Sequence, residues 1–491
     1  MKKLPYLKFL LWLGSYLFSL VFEPDTLNGQ TQTMGKKNIL IMYSDDHTFQ
    51  ALGAMGNKII STPNLDKLAK SGLMFTQAHV MGGHQGAICV PSRAMLMTGR
   101  YVNRLPSDGS TIPDSLISMP EVLRGLGYLT FHTGKWHSDK ASHHRMFSEG
   151  GDVYFGGMHF EKDGGQFNPV VQAFDPTGIF PESTKRKSGI YSSTLYANNA
   201  LEFLQSAKAK SGPFMCYIAL TSPHDPRTPP PPYDRLYDPT KIPLPKNFYP
   251  VHPFDNGDLN VRDEQLLPTP RTPEAIKKEI ALYYGMISEM DAQVGRILDA
   301  LDKEGLRENT LIIFAGDNGL AVGQHGLLGK QNLYEHSIRV PMIFSGPGIP
   351  ANKKADGFVY LSDIAPTVYE YLNIPAPKTV EAKSLMPVIK NQKVKIRENI
   401  YNVYGHWSRS IKTADGMKLI VYNVDGTKMT QLFDLKKDPM ETMNLSDNPS
   451  YQSTILSMRY KLRKEMAATN DDLDIDAENW GRKPNQKARG K

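Results

Sequence analysis

Residues 38–46 read Asn-Ile-Leu-Ile-Met-Tyr-Ser-Asp-Asp, a short apolar run that ends in two adjacent carboxylates. An apolar run of this length that is bounded by a polar turn is typical of a strand buried on both faces of a parallel sheet. Four further runs have this form, and they cover residues 128–132, 214–220, 311–315 and 340–344. The sequence therefore predicts a mainly parallel sheet with buried strands.

Helical patterns separate these apolar runs. The longest begins after Thr272, a suitable N-cap, has Pro273 in its first turn and ends before Gly305. The alternation of strand and helix predicts an α/β fold in which helices cover both faces of the sheet. Residues 223–253 contain eleven prolines, which predicts an excursion or lid that is neither a helix nor a central strand.

The chain has 491 residues, which is long enough for one large domain and a smaller one. Two lysines precede an apolar run from Leu7 to Phe22, the pattern of an export signal. We expect a signal peptide and short leader at residues 1–34, a catalytic domain at 35–376, an α+β subdomain at 377–475 and a basic tail at 476–491. Because the signal run is short and no other run approaches a bilayer span, we expect a periplasmic or secreted protein with no stable membrane span after signal cleavage.

Charge and cysteine content narrow the class of protein only slightly. The net charge of +7 would suit an anionic substrate, but five basic residues lie in the tail from Arg482 to Lys491. No basic motif with interleaved aromatic residues points to nucleic acid as a partner. Cys89 lies at a polar turn and Cys216 in an apolar run, so we expect no disulfide bond between these two cysteines.

Polar residues follow four of the predicted strands at their carboxyl ends. They are Asp45 and Asp46, Lys135 and His137, His224, and Asp317 and Asn318. Each alone could equally be a turn residue or a helix cap. Ligand sites of parallel sheets lie at the carboxyl ends of the strands, so the joint placement favours one shared site. The carboxylates and the amide are hard oxygen donors, which predicts a Ca²⁺ site, with Mg²⁺ as the alternative.

A second motif begins with a cysteine. Residues 89–93 read Cys-Val-Pro-Ser-Arg, and residues 98–100 read Thr-Gly-Arg. The proline predicts the first turn of a helix that begins near Cys89. Because the positive end of a helix dipole stabilises an anion, the residues by themselves suggest an activated thiolate at Cys89.

This motif resembles the signature of the type I sulfatases, whose cysteine is converted to formylglycine (3-oxoalanine). The resemblance extends in the same order over about residues 37–375, through the polar turns given above and on to Gly329-Lys330. It implies an alkaline-phosphatase-like fold with a small C-terminal subdomain, and the hydrolysis of sulfuric esters. It also implies a sulfatase-maturing enzyme as a partner that acts on Cys89.

The resemblance further implies a role for each residue of the site. The implied metal ligands are Asp45, Asp46, Asp317, Asn318 and the modified Cys89. Arg93, Lys135 and Lys330 would neutralise charge on the nucleophile and on the sulfate group. His137 would stabilise the hydrated aldehyde that serves as nucleophile, and His224 would protonate the leaving alcohol.

The substrate implied is a sulfated carbohydrate, such as a saccharide derived from a glycosaminoglycan. We expect N-acetylglucosamine 6-O-sulfate as the first candidate for the ester that is hydrolysed, and uronic acid 2-O-sulfate as the second. The residues expected to contact the saccharide are His84, Gln85, Arg227, His406 and Trp407. Two alternatives stay open: a formylglycine-dependent phosphodiesterase or phosphonate hydrolase, and a catalytically silent glycan-binding relative. The sequence leaves the oligomeric state open.

Overall fold

The computed structural model describes residues 37–478, 480 and 481. The strands are β1 (Asn38–Ser44), β2 (Gly72–Phe75), β3 (Ala78–His79), β4 (Gly82–Gly83), β5 (Leu129–Lys135), β6 (Glu149–Tyr154), β7 (Val170–Ala173), β8 (Arg186–Lys187), β9 (Phe214–Ala219), β10 (Thr310–Gly316), β11 (Arg339–Val340), β12 (Met342–Ser345), β13 (Lys353–Ala355), β14 (Val359–Tyr360), β15 (Asn399–Tyr404), β16 (Ser408–Thr413), β17 (Met417–Val424) and β18 (Thr427–Asp434). The α-helices are α1 (Pro63–Lys70), α2 (Cys89–Thr98), α3 (Met119–Gly125), α4 (Lys140–Met146), α5 (Ser192–Gln205), α6 (Ala207–Ser211), α7 (Pro273–Lys303), α8 (Glu335–Ile338), α9 (Ile364–Tyr371), α10 (Met386–Lys390) and α11 (Gln452–Ala468). The signal peptide and leader predicted for residues 1–34, and residues 482–491 of the predicted basic tail, lie outside the described residues.

The main sheet has ten strands in the order β13-β2-β12-β10-β1-β9-β5-β6-β7-β8. Its centre is parallel: β1 pairs with β10 on one side and with β9 on the other, and β9 pairs with β5. Helices supply the crossovers, and the predicted α/β fold with a mainly parallel sheet is confirmed. Residues 340–344 were expected to form another parallel strand, and this prediction is wrong because β12 runs antiparallel to β10. No crossover connection returns the chain to the other end of the sheet after β10. The strand β12 therefore starts at the end where β10 finishes and runs in the opposite direction.

Successive side chains of β1 enter two different hydrophobic cores. Ile39, Ile41 and Tyr43 pack into the core on one face of the sheet, and Leu40 and Met42 pack into the core on the other. This alternation is the period of a strand, and both sets are fully buried because helices cover both faces. The run at residues 38–43 is therefore apolar at successive positions because each face of β1 packs into a hydrophobic core.

The long helix α7 begins as its cap residue predicts. The Thr272 side chain accepts a hydrogen bond from the Ala275 backbone N–H, and Pro273 occupies the first turn, where its missing N–H costs no hydrogen bond. The proline-rich residues 223–253 contain only two short 3₁₀ turns, at Tyr233–Arg235 and Pro239–Lys241, as expected from their composition. They belong to the excursion between β9 and α7.

A five-stranded sheet in the order β18-β17-β16-β15-β4 forms the C-terminal part. Its edge strand β4 comes from residues just before Cys89 and pairs in parallel with β15. Gly82 makes this close pairing possible, because it has a φ of 103° and a Cβ there would lie 1.9 Å from the Val403 carbonyl oxygen. The C-terminal sheet is thus hydrogen-bonded to the chain that leads into the cysteine motif.

The residues at the start of the predicted basic tail pack against this C-terminal part. Ile475, the last residue of the predicted subdomain, and Trp480 in the predicted tail are buried, and the Asn423 side chain donates a hydrogen bond to the Trp480 carbonyl at 2.5 Å. Over residues 37–478 and 480–481, no helix combines the length and the apolar character that crossing a membrane requires.

Candidate active site

The carboxyl ends of β10, β1, β9 and β5 lie side by side and carry the polar turns identified in the sequence. Ligand atoms of Asp45, Asp46, Cys89 and His224 all lie within 4.8 Å of one another. The Asp46 backbone N–H donates to the Asp317 Oδ1 at 3.0 Å, which joins the turn after β1 to the turn after β10. Parallel pairing of the strands therefore assembles one site from segments far apart in sequence.

Cys89 is the first residue of α2 and is buried at the centre of this cluster. Its Sγ lies 3.2 Å from Asp45 Oδ1, 3.6 Å from Asp46 Oδ1 and 2.9 Å from Lys330 Nζ. Burial raises the pKa of the thiol well above its ordinary value, and the carboxylates of Asp317 and Asp45 raise it further. Burial and the two nearby carboxylates therefore oppose the effect that the helix dipole would have on the Cys89 thiol.

Two lysines neutralise the aspartates that follow β1. Lys135 Nζ lies 2.6 Å from Asp45 Oδ2, and Lys330 Nζ lies 2.7 Å from Asp46 Oδ1, with all four side chains buried. Burial alone would raise the pKa of Asp45, but Lys135 and the other nearby cations hold it well below its ordinary value. Asp45 is therefore an anion in this site.

Arg93 performs the same task for Asp317. Its Nε and NH2 lie 3.1 and 2.9 Å from Asp317 Oδ2, and its NH1 donates to the Lys135 carbonyl at 3.0 Å. Burial and repulsion by Asp45 nevertheless raise the pKa of Asp317 to about 6. The carboxylates are crowded, and a cation between them would relieve that repulsion.

The donor atoms of this cluster fit a divalent cation. Among the described residues, the Oδ1 of the buried Asn318 has no hydrogen-bond partner, while its Nδ2 donates to Asp46 Oδ1 at 2.6 Å. A buried acceptor without a donor is costly, and a cation would satisfy it. The oxygen atoms of Asp45, Asp46, Asp317 and Asn318 form a hard donor set that suits Ca²⁺ or Mg²⁺.

Two histidines flank the cluster. The His224 Nε2 lies 3.5 Å from Asp46 Oδ2, and its Nδ1 contacts the Asp225 carbonyl at 2.9 Å. Burial, with Lys135 and Arg93, holds the pKa of His137 well below its ordinary value, so its ring is neutral. The His137 Nδ1 is buried and has no hydrogen-bond partner among the described residues.

Asp46 and His137 share an uncommon backbone conformation. Each has a φ of 62°, in the left-handed region that residues other than glycine rarely adopt. Such a conformation costs on the order of 1–3 kcal/mol and persists where the surrounding structure enforces it. At both positions the turn follows a central strand and directs a functional side chain toward the cluster.

The residues expected to contact a saccharide do not all come together. His84 and His406 stack with ring centroids 5.5 Å apart, because the pairing of β4 with β15 brings their turns together. Trp407 follows His406 in the sequence, is half-buried and donates from its Nε1 to the Asn256 carbonyl at 2.9 Å. These three residues form one edge, which we call the His-Trp edge.

Gln85 and Arg227 make their contacts with residues outside the His-Trp edge. The Gln85 Nε2 contacts the Ser110 hydroxyl at 3.4 Å. Arg227 is buried, and its NH1 is 2.8 Å from the Glu279 carboxylate, so its charge is already paired inside the protein. The structure does not bring Arg227 to the His-Trp edge, because this ion pair holds its guanidinium against helix α7.

Sequence reasoning missed the hydroxyl groups that support the site. The Ser92 hydroxyl donates to the Asp317 carbonyl at 2.5 Å and lies 3.1 Å from the Tyr43 hydroxyl. The Tyr217 hydroxyl accepts a hydrogen bond from Arg93 NH1 at 3.3 Å. Tyr43 stands directly before the polar turn of β1, and Tyr217 lies in the middle of the apolar strand β9. A polar atom in such a strand is the signal that would have identified them.

Comparison with known proteins agrees with this architecture. A family model described as "Sulfatase" matches residues 37–374, and one described as "N-sulphoglucosamine sulphohydrolase, C-terminal" matches residues 323–468. An N-acetylglucosamine-6-O-sulfatase from Bacteroides thetaiotaomicron is 25% identical over 91% of this chain and 89% of its own length.

Two solved structures share the fold. One, in complex with its substrate D-glucosamine-2-N,6-O-disulfate, has a TM-score of 0.73 at 22% identity and covers 90% of this chain and 99% of its own. The phosphonate monoester hydrolase of Agrobacterium radiobacter has a TM-score of 0.70 at 23% identity, with 88% and 96% covered.

The large, mainly parallel sheet with the acidic cluster at the carboxyl ends of its central strands is the alkaline-phosphatase-like fold. The family model spans more than half of the chain. The chain therefore belongs to the sulfatase family, and it is a sulfuric ester hydrolase.

The metal site can be tested without measuring activity. Ca²⁺ that binds only the folded protein should raise the free energy of unfolding by about 2.7 kcal/mol at a free concentration of 100 times its Kd. Thermal unfolding of chelator-treated protein, titrated with Ca²⁺ and separately with Mg²⁺, measures this shift. Asn318→Ala should remove most of the shift, because it deletes a hard oxygen donor of the cluster.

The matched control is Asn402→Ala, since Asn402 is also buried but bonds Val80 and Ser410 in the C-terminal sheet. This variant should lose stability yet keep the full shift with Ca²⁺. An equal shift in both variants would rule out Asn318 as a ligand, and no shift in the wild type would rule out the site.

Proposed function

We propose that this sulfatase removes sulfate from a sulfated carbohydrate, with saccharides derived from glycosaminoglycans as its substrate class. N-acetylglucosamine 6-O-sulfate is the first candidate, which the similarity to an N-acetylglucosamine-6-O-sulfatase supports. Uronic acid 2-O-sulfate is the second. The observation that carries the proposal is the position of Cys89, whose Sγ lies 2.9 Å from Lys330 Nζ inside the acidic cluster.

The nucleophile in this proposal is a modified residue 89. A thiol whose pKa is raised by burial and by Asp317 and Asp45 is a poor nucleophile as it stands. Oxidation by a sulfatase-maturing enzyme would convert Cys89 to formylglycine, whose hydrate offers a hydroxyl group instead. A bound Ca²⁺ or Mg²⁺ would supply Lewis acidity beside that hydroxyl.

Three cations of the chain would stabilise negative charge as the ester is attacked. Lys330 contacts the nucleophilic position directly, Lys135 lies against Asp45, and Arg93 lies against Asp317. Each is buried, where a charge acts more strongly on a sulfate oxygen than it would in water. Their positions are set before substrate arrives, because aspartates hold them.

The two histidines are suited to different tasks. The Nδ1 of His224 is held by the Asp225 carbonyl, so Nε2, which faces the cluster 3.5 Å from Asp46 Oδ2, is the nitrogen that would deliver a proton to the leaving alcohol. The neutral His137, with its buried Nδ1 free of partners among the described residues, is suited to hydrogen-bond the hydrated aldehyde. In the His-Trp edge, the exposed His406 ring, which stacks on His84, would contact a sugar ring.

The decisive experiment is sulfate release from a panel of sulfated mono- and disaccharides and an aryl sulfate, with and without chelator. We expect release that depends on the metal, that identifies the saccharide and that is lost in Cys89→Ala. Cys216→Ala is the matched control, because Cys216 is equally buried but lies inside strand β9. Mass spectrometry of the peptide that contains residue 89 reports the aldehyde.

The other outcomes separate the alternatives. With the aldehyde present, turnover of a phosphodiester or phosphonate and no release of sulfate would replace the proposal by a phosphodiesterase or phosphonate hydrolase. An unmodified cysteine, with saccharide binding but no turnover in a host that contains a maturing enzyme, would indicate a catalytically silent glycan-binding protein.

The leaving group should reveal the role of His224. His224→Gln should lower kcat on a sugar sulfate roughly 10²–10⁴-fold, because an alkoxide leaving group needs a proton. An aryl sulfate with an acidic phenol should be much less affected. Steady-state kinetics on both substrates measures this, with the half-buried His144→Gln as control. Equal losses on the two substrates would contradict the assignment.

We also propose export to the periplasm or to the medium, on the basis of the apolar run from Leu7 to Phe22. An alkaline phosphatase reporter fused after residue 40 should be active, because that reporter works only outside the cytoplasm. Replacement of Leu11 by Arg within the run should abolish the reporter activity. A reporter that is inactive with the native sequence would contradict export.

A further inference from the structure

A short 3₁₀ turn at Arg262–Leu266, within the excursion that joins β9 to α7, touches three separate parts of the site. Asp263 and Glu264 are 8% and 7% exposed, although both are carboxylates. Buried carboxylates need partners, and these two find theirs on the loops that carry the catalytic candidates.

Glu264 holds the loop that precedes Lys330. Its carboxylate accepts hydrogen bonds from the Leu328 N–H at 3.0 Å and the Gly329 N–H at 2.8 Å. Arg271 donates to the same carboxylate at 2.7 Å and compensates its charge. Two consecutive backbone N–H groups are thereby fixed directly before the lysine.

Asp263 binds Gln331, the residue that follows Lys330. The Gln331 side chain donates to Asp263 Oδ2 at 2.8 Å and to the Gly86 carbonyl at 3.1 Å. The Oε1 of the same side chain accepts the backbone N–H of Lys330 at 3.0 Å. Asp263 thus ties the Lys330 loop to the turn that leads into Cys89.

Arg262 reaches the third part, the turn that carries His224. Both terminal nitrogens of its guanidinium donate to the Asp225 carboxylate, and NH2 also contacts Asp263 Oδ1 at 2.6 Å. The Asp225 Oδ1 lies 3.3 Å from the His224 Nδ1, and the Asp225 carbonyl accepts from the same nitrogen. A bidentate pair fixes the plane of the Asp225 carboxylate, and with it the turn on which His224 stands.

We propose that Arg262, Asp263 and Glu264 are positioning residues of this sulfatase, which hold His224 and Lys330 in register with residue 89. The proposal rests on the proposed function, because it assigns the turn to the proton donor and to the cation beside the nucleophile. Misplacement of a catalytic group by about 1 Å can cost a factor of roughly 100 in rate. Arg262 positions His224 through Asp225, whereas Glu264 positions Lys330 through the backbone of Leu328 and Gly329.

This division gives the two residues different kinetic signatures. Arg262→Gln should lower kcat on the sugar sulfate roughly tenfold or more and change kcat on the aryl sulfate less than about twofold, because only the sugar alkoxide needs the proton of His224. Arg262→Lys should restore part of the loss, since it keeps the charge but not the bidentate contact. Arg186→Gln is the matched control, because Arg186 is a half-exposed arginine paired with a buried aspartate away from the site.

Glu264→Gln should lower kcat on both substrates by a similar factor. Glutamine has one acceptor oxygen in place of two, so it cannot serve Leu328, Gly329 and Arg271 together. Lys330 assists the attack on sulfur, which both substrates share. Glu289→Gln is the control, since Glu289 is a buried glutamate bonded to Thr194 and Gln293 on helices α5 and α7.

A spectroscopic measurement keeps the proposal testable apart from turnover. In protein labelled with ¹⁵N-histidine, the His224 signal, assigned through His224→Gln, should show an Nδ1–H protected from water, because Asp225 holds it. In Arg262→Gln this proton should exchange at least tenfold faster, while it should not change in Arg186→Gln. If the wild type released no sulfate, the proposed function would fail, and this exchange rate would still decide the positioning role.

Three results would overturn the proposal. The first is a rise in KM with unchanged kcat in Arg262→Gln, which would make Arg262 a substrate-binding residue. The second is the same fractional loss on both substrates in Arg262→Gln, which would indicate general damage. The third is an unchanged exchange rate of the His224 Nδ1–H in that variant.

Discussion

Three buried carboxylates meet at the carboxyl ends of the central strands, and the rest of the site follows from the need to keep them there. Asp45, Asp46 and Asp317 come from two strands that pair in parallel. Several kcal/mol are lost when a carboxylate is buried without compensation. Lys135, Lys330 and Arg93 supply that compensation from three further segments. The same charges that stabilise the folded site are therefore the charges available to a sulfate ester.

Segments from distant parts of the chain hold the loops that carry this cluster. The loop that bears Lys330 runs on into α8, where Glu335 is paired at 2.7 Å with Lys412 and at 3.1 Å with Lys418 of the C-terminal sheet. That sheet also binds β4, which precedes Cys89. The turn at Arg262–Leu266, in the excursion after β9, binds the turn that carries His224 and the loop that carries Lys330. The Lys330 loop, the turn that leads into Cys89 and the turn that carries His224 are thus each held by an element that carries none of the catalytic candidates.

The sequence predicted much of the fold because its signals are local. The central strands, the Thr272 cap, the start of α2 at Cys89 and the irregular proline-rich segment each depend on a few neighbouring residues. Strand β16 has no signal of this kind, because it reads Ser-Arg-Ser-Ile-Lys-Thr, which has little apolar character. It is nevertheless buried, since its polar side chains bond partners such as Glu335, Asp471 and Asn402. Such partners are invisible in a window of sequence.

By itself the sequence determined the class of fold, the rim on which the polar residues stand and the motif that resembles the sulfatase signature. Only the tertiary structure decided the direction of β12, the direction in which burial and the carboxylates shift the pKa of the Cys89 thiol, and the ion pair between Arg227 and Glu279. It also decided that Arg262, Asp263 and Glu264 lie against the site. The physical reason is the same in each case: burial and electrostatic interaction depend on distances between segments that are far apart along the chain.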